Sequence, residues 1–534
     1  MGTGNWAASV NVSVLSRQSL ARTARGFSRC RHRNLRLMAK HAASLFSVDV
    51  INPDMTGRPA HARIRERIRT AIASGALAQK ARLPSSRTLA RDFGVARNTV
   101  DEALSQLVAE GLIVRRRGAG SFVSSPPPKP PPPLPAVRRV TKSSVFGPRI
   151  SKRAKALEGY PGHYKPIQGV PFTPSLPPSD FFPRKTWKRL LSREAARSGT
   201  AYWEYGASNG LPELREAIAA HATSMRGTRA SADQVVVTTS TQQAVELAAK
   251  VLADPGDSCW VETPGYQPVQ HVLRAAGLEV VPVPVDRQGL NVECGCNLQP
   301  HARLAYVTPS HQYPMGYEMS LARRDALLNW AAAEDAHLVE DDYDGDYRYE
   351  GRPITSLQDM DCERVVYVAS FNKILFPGLR IAYALVPEAL VGAFVDAKHA
   401  ADGHTALLSQ GVLAAFITEG HLAQHLRTTR AIYNERRLAF LEEAQILDGL
   451  LAFEPAIGGM HVTGLFRDAG IDDRAVAAAS VRRGVAVDPL SKYGVIECGG
   501  LVFGYAGASR DETRDCLKVV RRSILDMSRQ RRAQ

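Results

Sequence analysis

The sequence predicts an α/β protein in which a small N-terminal domain precedes a much larger one. From about residue 160 onward, short valine-rich runs alternate with helical patterns, which is typical of an α/β layout. Residues 58–124 differ, because three helical patterns there lead into a hairpin. Between the two lies a linker over 125–159, whose proline-rich run predicts an extended polyproline II spacer. We therefore expect a domain over 58–124 and another over 160–534.

Positive charge is concentrated at the N-terminal end of the chain. Residues 1–150 hold 26 Lys and Arg against 7 Asp and Glu, a net charge of +19. The remainder has 68−26 = 42 basic and 52−7 = 45 acidic residues, a net charge of −3. This asymmetry favours a polyanion-binding module joined to a near-neutral body. No apolar run is long enough to span a bilayer. The seven cysteines include no Cys-x-x-Cys pair, so we expect reduced thiols in a cytoplasmic protein.

The first 48 residues contain no acidic residue and are rich in Arg, Ser and Ala. We expect residues 1–57 to be a basic, disordered arm, to which no fold should be assigned. Two alternatives stay open: a transit peptide, or an upstream start codon that extends the true protein.

Residues 58–124 carry the pattern of a winged helix-turn-helix. Three segments repeat apolar residues at helical spacing, and a serine N-cap and two glycines mark their ends. Only a short glycine-containing break separates the second helix from the third, as in a helix-turn-helix. The run from Gly111 to Val123 predicts the two-stranded hairpin of the wing. The marking residues are Ile64, Ile68, Ile72 and Gly75, then Ser85 or Ser86, Leu89, Phe93 and Gly94, then Val100, Ala103, Leu104 and Leu107.

Polar side chains at the start of the third helix can read DNA. Arg97, Asn98 and Thr99 suit base edges and phosphates in a major groove, although each could instead be a solvated surface residue. The segment resembles the GntR-type winged helix-turn-helix through Leu-Pro-Ser-Ser-Arg-x-Leu-Ala, Gly-Val-x-Arg-x-Thr-Val and Gly-x-Gly-Ser-Phe-Val. The resemblance implies an operator DNA partner. The contacts it implies are Arg87, Arg97 and Thr99, with the wing arginines Arg115 and Arg116 near the minor groove or backbone.

A lysine between two apolar strand patterns is the centre of the large domain. Lys373 follows Ser370 by three residues and precedes Arg380 by seven, in a loop-like setting. Burial between strands lowers the pKa of such an amine and lets it attack a carbonyl. A hydroxyl and a guanidinium nearby suit a phosphate. These are the parts that hold pyridoxal 5'-phosphate (PLP) as a Schiff base, whereas the plain alternative is a surface lysine in a turn.

Further polar or aromatic residues follow the other strand patterns. Open α/β sheets bind ligands at the C-terminal ends of their strands, so these side chains belong together. Hydroxyls at a helix start hold phosphate, and a carboxylate near the pyridine nitrogen keeps it protonated. We expect Ser240, Thr241, Ser370 and Arg380 at the phosphate, Tyr266 stacked on the ring, Asp341 or Asp342 at the ring nitrogen, and Tyr343 at the ring hydroxyl.

The large domain resembles the fold-type I, aspartate-aminotransferase-like PLP proteins, with a mostly parallel central sheet. The motifs are Tyr202-Trp203-Glu204-Tyr205-Gly206, Thr239-Ser240-Thr241-Gln242-Gln243, Pro264-Gly265-Tyr266, Glu340-Asp341-Asp342-Tyr343-Asp344 and Ser370-Phe371-Asn372-Lys373 with Pro377-Gly378-Leu379-Arg380. Joined to the winged domain, the chain resembles the MocR/PdxR-type group of GntR transcription regulators. The resemblance implies Lys373 as the Schiff-base lysine and Asp341, before Asp342, at the nitrogen. It also implies a head-to-tail homodimer in which Tyr205 reaches the partner's site.

The sequence departs from the aminotransferase pattern at two positions. Tyr313-Pro314-Met315-Gly316 stands where aminotransferases have Asn-Pro-x-Gly, and Val502 stands where many carry the arginine that grips a substrate carboxylate. Both departures argue against efficient transamination, unless Arg348 or Arg352 substitutes. We therefore expect a DNA-binding regulator that senses PLP or a PLP-amine adduct. An active aminotransferase with a regulatory DNA-binding domain, and a regulator with a vestigial PLP site, are the alternatives. No metal site is expected.

Overall fold

The computed structural model describes residues 59–124, 150–155, 157, 170–197, 199, 201–351, 355–454 and 457–532. The chain divides into two compact units, Met1–Gly147 and Pro148–Gln534. The predicted arm over 1–57, most of the predicted linker over 125–159, and Arg352 lie outside the described residues. In the described part of the chain, no helix has the length and apolar character that crossing a membrane requires.

The N-terminal unit is a three-helix domain completed by an antiparallel hairpin. Ser85 accepts a hydrogen bond from the Thr88 amide, and Gly94 ends the second helix in the left-handed conformation, so the predicted N-cap and stop are confirmed. The three apolar helix faces pack with Ile113 and Val123, which face each other across the hairpin. The elements are α1 (Ala60–Ala73), α2 (Ser86–Phe93), α3 (Arg97–Ala109), β1 (Ile113–Arg116) and β2 (Gly120–Val123).

The C-terminal unit begins with three helices and then alternates strands with helices, as the sequence predicts. Its described elements up to the central lysine are α4 (Lys152–Lys155), α5 (Arg184–Ala195), α6 (Pro212–Arg226), β3 (Val235–Thr238), α7 (Thr241–Leu252), β4 (Ser258–Thr263), α8 (Gln267–Ala276), β5 (Glu279–Asp286), β6 (Gly289–Leu290), α9 (Val292–Leu298), β7 (Leu304–Val307), α10 (Leu321–Ala333), β8 (His337–Asp342), α11 (Leu357–Met360), β9 (Val365–Ser370) and α12 (Phe371–Ile374).

The remaining elements build the last crossovers and a second sheet. They are β10 (Ala382–Leu385), α13 (Val391–Asp402), α14 (Leu407–Thr418), α15 (His421–Glu443), β11 (Leu451–Phe453), β12 (His461–Phe466), α16 (Asp473–Arg482), β13 (Asp488–Pro489), β14 (Gly500–Gly504) and α17 (Arg510–Arg532). The second sheet has the order β11-β12-β14-β13 and is antiparallel throughout.

The central sheet has eight strands in the order β3-β10-β9-β8-β7-β4-β5-β6. The pairs from β9 to β5 are parallel, whereas β10 runs antiparallel to both of its neighbours and β6 is antiparallel to β5. Parallel strands need long crossovers, which explains why helical patterns separate the valine-rich runs. The α/β class and the mostly parallel sheet predicted from the sequence are therefore confirmed.

Helices cover both faces of the central sheet and bury it. One apolar core includes Val236, Val339 and Val368 with α7 and α8, and another includes Val235, Val237 and Tyr367 with α14 and α15. Alternate residues of one strand thus enter different cores, as a strand of period two requires. This alternation decides which of two adjacent aspartates faces which side of the sheet.

Candidate functional site

The C-terminal edge of the central sheet gathers the predicted phosphate-binding residues. Ala382 of β10 pairs with Thr238 of β3 and with Ser370 of β9, so the ends of these three strands lie side by side. Ser240 and Ser370 are the N-caps of the helices that follow, and each hydroxyl accepts a backbone N–H at 3.2 Å. The helix that Ser240 caps, α7, presents amide groups at the same edge.

Two further predicted residues lie at the same edge. Thr241 is the first residue of α7 and is half-buried. Arg380 lies two residues before β10, with an exposed side chain and a left-handed backbone (φ 56°). The structure therefore brings all four predicted phosphate-site residues to one edge of the sheet.

Lys373 lies in the one-turn helix α12 rather than in the loop that the sequence predicts. Its Nζ atom donates a hydrogen bond to the Ser175 carbonyl oxygen at 2.9 Å. Burial lowers the pKa of the Lys373 amine below its ordinary value, and the nearby carboxylates of Asp344 and Asp341 oppose this shift only in part. A lowered pKa increases the share of neutral amine, which is the nucleophilic form.

The two adjacent aspartates belong to the end of β8 and face opposite sides of the sheet. Asp341 Oδ2 accepts a hydrogen bond from the Tyr306 hydroxyl at 2.5 Å, whereas Asp341 Oδ1 is buried without a partner in the described residues. Burial raises the pKa of Asp341 to about 7. An unpartnered carboxylate oxygen at a ligand-binding edge is a strong acceptor position for a ligand N–H.

Asp342 is a structural residue on the other side of the sheet. Its Oδ2 atom lies 2.5 Å from Nε of Arg226 and accepts a hydrogen bond from the Tyr367 hydroxyl at 2.5 Å. Burial raises the pKa of Asp342, and the guanidinium of Arg226 opposes this effect. Each aspartate keeps a buried Oδ1 atom without a hydrogen-bond partner among the described residues. Asp342 lies against the guanidinium of Arg226, whereas Asp341 lies on the Tyr306 side, where Lys373 acts on it.

The hydroxyl of Tyr343 is oriented by a buried histidine and carboxylate. His311 Nδ1 lies 2.9 Å from Tyr343 Oη and 3.1 Å from Asp344 Oδ2. Because the carboxylate can only accept, it favours the tautomer with a proton on Nδ1. A protonated Nδ1 cannot accept a hydrogen bond, so the Tyr343 hydroxyl hydrogen is available to another acceptor.

Aromatic rings connect this polar group to the second sheet. The Tyr313 ring meets those of Tyr266, Tyr343 and Tyr493 edge to face, at centroid distances of 6.0, 5.7 and 5.2 Å. Val502 is fully buried in the cluster that includes Tyr493 and against which Tyr313 packs. Both departures from the aminotransferase pattern therefore lie in one aromatic and apolar wall.

Two further predicted contributors are Tyr205, which is exposed, and Arg348, which lines a cavity together with His311 and Asp344. Tyr205 is 98% exposed, and its ring meets His404 edge to face. Arg348, a suggested substitute for the missing arginine, forms an ion pair with Glu318. Sequence reasoning assigned no role to Ser175, Tyr306 or Asp344. Asp344 and Tyr306 lie next to the ends of strands, and this position could have indicated from the sequence that they belong to the site.

Most of the predicted DNA-reading residues are exposed in the N-terminal unit. Arg87, Arg97, Asn98, Arg115 and Arg116 are exposed, and Thr99 is half-buried. Asp101 links α3 to the wing. Its Oδ2 atom lies 3.4 Å from Nε of Arg97, and its Oδ1 atom lies 2.9 Å from Nη2 of Arg115. A carboxylate between two arginines holds both side chains near one another while leaving further guanidinium donors for a phosphate or base.

Two family models match the chain in this order. Residues 60–123 match the bacterial regulatory proteins of the gntR family, and residues 179–520 match aminotransferase class I and II. The chain is 36% identical to the probable rhizopine catabolism regulatory protein MocR of Rhizobium meliloti over 88% of this chain and 94% of that protein. The chain belongs to the MocR/PdxR-type GntR transcription regulators.

Other relatives agree with this family. The pyridoxine biosynthesis regulator PdxR of Corynebacterium glutamicum is 30% identical over 85% of this chain and 93% of that protein. The multiple substrate aminotransferase of Thermococcus profundus superposes with a TM-score of 0.64 at 24% identity, covering 71% of this chain and 98% of that one. This likeness shows the fold-type I architecture, and the family implies that the large unit binds PLP and the small unit binds DNA.

Proposed function

We propose that this regulator holds PLP on Lys373 and uses that site to control how its winged domains bind operator DNA. The observation that supports the proposal most is the pairing of Lys373, whose amine has a lowered pKa, with Asp341, whose Oδ1 atom is buried and unpartnered. A protonated pyridine nitrogen would satisfy that oxygen. The amine and the carboxylate at this edge of the sheet thus fit the cofactor.

Each residue at the edge has a distinct task in this proposal. When bound, PLP supplies an aldehyde for the lysine amine and a cationic ring that withdraws electrons. Asp341 keeps the ring nitrogen protonated, and Tyr306 holds Asp341 in place. Tyr343 donates its hydroxyl hydrogen to the ring oxygen, and Tyr266 stacks on the ring. Ser240, Thr241, Ser370 and Arg380 bind the phosphate.

The winged domain reads operator DNA through the surface that the Arg97–Asp101–Arg115 group organises. Arg97, Asn98 and Thr99 at the start of α3 enter the major groove, and Arg87, Arg115 and Arg116 contact the backbone or minor groove. The protein works in the cytoplasm and associates with the nucleoid when bound to DNA. The effector is PLP itself or a small amine that reacts at the PLP site.

The regulator acts as a head-to-tail homodimer. Tyr205, with 98% of its surface exposed, and Trp203, with 64%, lie on one short segment. Aromatic residues so exposed in a single chain are typical of an interface. In the dimer Tyr205 reaches the PLP site of the partner subunit, so that each site needs both chains.

The proposal requires that ligand binding and DNA binding are coupled. DNA fragments selected from a random library by the full-length protein serve as probes, and their affinity is measured before and after loading with PLP. A coupling free energy of about 1–3 kcal/mol would change the affinity by about 5- to 150-fold. An equal affinity for PLP-free and PLP-loaded protein, across the selected fragments and with added amines, would contradict the proposal.

A further inference from the structure

Gln243 joins the phosphate end of the PLP site to helix α13. Its backbone N–H donates to Ser240 Oγ at 3.2 Å, and its Oε1 atom accepts from the Thr239 amide at 2.9 Å and the Thr239 hydroxyl at 3.2 Å. Gln243 therefore fixes the start of α7, residues 239–241, which we call the phosphate turn. Because Oε1 accepts from a backbone N–H, the Nε2 atom faces the other way, where it donates to Asp402 Oδ2 at 2.8 Å.

Asp402 is itself held in place by a buried cation. Lys398 lies one turn earlier on α13, is fully buried, and donates from Nζ to Asp402 Oδ1 at 2.5 Å. Burial acts to raise the pKa of Asp402, but the hydrogen bonds from Lys398 and Gln243 outweigh it and keep this pKa below its ordinary value. The carboxylate therefore stays charged and accepts from both sides. Since removing one partner of a buried ion pair is strongly unfavourable, Asp402 is a firm anchor for the Gln243 amide.

The end of α13 and the start of α14 also support the segment that carries Tyr205. We call residues 202–211 the Tyr205 segment, and three contacts spread along it join it to residues 399–410. They are the edge-to-face contact of Tyr205 with His404 at 6.0 Å, the contact of Ser208 Oγ with His399 Nδ1 at 3.1 Å, and the hydrogen bond from the Leu211 amide to Gln410 Oε1 at 2.8 Å. The same part of the chain thus contacts the phosphate turn, through Asp402, and the segment that we assign to the dimer interface.

A group that fixes two parts of a protein couples them, because ordering one part lowers the cost of ordering the other. We infer that Gln243 and Asp402 are positioning residues that couple the phosphate turn to the Tyr205 segment, so that binding of the PLP phosphate and association of the subunits strengthen one another. This inference rests on the proposed PLP site and dimer, and it adds a regulatory link within each chain. Because a dimer presents two winged domains to the operator, the occupied phosphate site then acts on DNA binding through subunit association.

A matched pair of compounds tests the coupling on the full-length protein. PLP and pyridoxal both offer an aldehyde to Lys373, but only PLP carries the phosphate. The subunit dissociation constant is measured by analytical ultracentrifugation with each compound at saturation, and the visible absorbance reports occupancy of the site. We expect the subunits to associate about fivefold or more tightly with PLP than with pyridoxal.

Gln243→Met keeps the length of the side chain but removes its hydrogen bonds to the phosphate turn and to Asp402. This variant should lose most of the advantage of PLP over pyridoxal in subunit association, while both compounds still give the visible absorbance. A merely structural role would instead weaken association with both compounds alike. Glu246→Gln is the matched control and should keep the advantage, because Glu246 lies on the same helix, pairs with Lys250 and has a side chain that is 47% exposed.

The link can also be broken from its other end, without a change in the phosphate turn. The double substitution Lys398→Met and Asp402→Ala replaces the buried pair with apolar side chains, which protein interiors tolerate, and it should cause the same loss. An undiminished advantage of PLP in either folded variant would contradict the inference and leave a direct contact of Tyr205 with the partner's phosphate as the source of the coupling. Equal association of the natural protein with PLP and with pyridoxal would also contradict it. A protein that takes up no PLP at Lys373 would instead overturn the proposed function, and the inference with it.

Discussion

At the scale of single residues, two adjacent aspartates have different roles because a strand turns successive side chains to opposite faces. Asp341 faces Tyr306 and keeps one oxygen unpartnered, whereas Asp342 is paired with Arg226 and Tyr367. The carboxylate of Asp342 is balanced by the guanidinium of Arg226, whereas Asp341 lies on the side of the sheet where Lys373 acts on it. This contrast can be tested by matched substitutions.

We expect Asp341→Asn to impair retention of PLP while the protein stays folded, because the amide cannot neutralise a protonated ring nitrogen. Asp342→Asn should instead lower the free energy of unfolding by about 3–5 kcal/mol, since it leaves the buried guanidinium of Arg226 unpaired. Dialysis followed by absorbance spectroscopy measures PLP retention, and chemical denaturation measures stability. The opposite pattern would assign the ring nitrogen to Asp342.

The raised pKa of Asp341 also predicts a pH effect in PLP-free protein. In the folded state this carboxyl keeps its proton up to a pKa of about 7, against a reference value of 3.8. Between these two values the folded protein binds more protons than the unfolded chain. The free energy of unfolding that Asp341 contributes is therefore lost as the pH rises through that window. Asp341→Asn should reduce this slope by about 1.4 kcal/mol per pH unit. An unchanged slope in denaturation series from pH 4 to 7 would count against the assigned burial.

At the scale of secondary-structure elements, Asp101 links the start of α3 to the wing through Arg97 and Arg115. Arg97→Ala should weaken specific DNA binding by about 1–3 kcal/mol if Arg97 reads a base edge. Arg69→Ala is the control, because Glu110 already pairs with that guanidinium at 2.7 Å. Binding is measured on selected and scrambled fragments over a series of salt concentrations. A uniform loss on all sequences, with a shallower salt dependence, would make Arg97 a phosphate contact instead.

Much of the fold follows from local pattern, whereas the site depends on distant partners. Features that involve neighbouring residues can be predicted from the sequence. They include the valine-rich strands, the serine N-cap of α2 and the end of α2 at Gly94. The sequence could not show that β10 runs antiparallel between β3 and β9, because strand pairing is not local. Nor could it show that Ser175 meets Lys373, since 198 residues separate them. Such contacts form only when strands that are distant in the sequence pair with one another in the sheet.

At the scale of the whole molecule, the proposal of shared sites predicts a specific complementation. Tyr205→Ala and Lys373→Ala chains should each lose tight PLP retention as homodimers. A mixed dimer should recover one complete site, because the Lys373 of one chain then meets the unchanged Tyr205 of the other. Differently tagged chains, co-purified and titrated with PLP, give the stoichiometry. A mixed dimer without a retained PLP would show that Tyr205 does not complete the partner's site.

The architecture also predicts weak enzymatic activity. Without an arginine at position 502 to hold a substrate carboxylate, the α-proton is poorly placed for removal, and misplacement costs rate steeply. We expect little or no transamination of common amino acids with 2-oxoglutarate or pyruvate as acceptor. A turnover number on the order of 1 per second or higher, within the ordinary enzyme range, would favour a working aminotransferase.

The central claim is that Lys373 is the residue that holds PLP, and one measurement tests it directly. The full-length protein is loaded with PLP, reduced with sodium borohydride, digested and examined by mass spectrometry. We predict a single modified peptide that contains Lys373, and loss of both this peptide and the visible absorbance in Lys373→Ala. Lys250→Ala, an exposed lysine paired with Glu246, should keep both. A single PLP adduct that persists in Lys373→Ala would contradict the claim and assign the cofactor to another lysine.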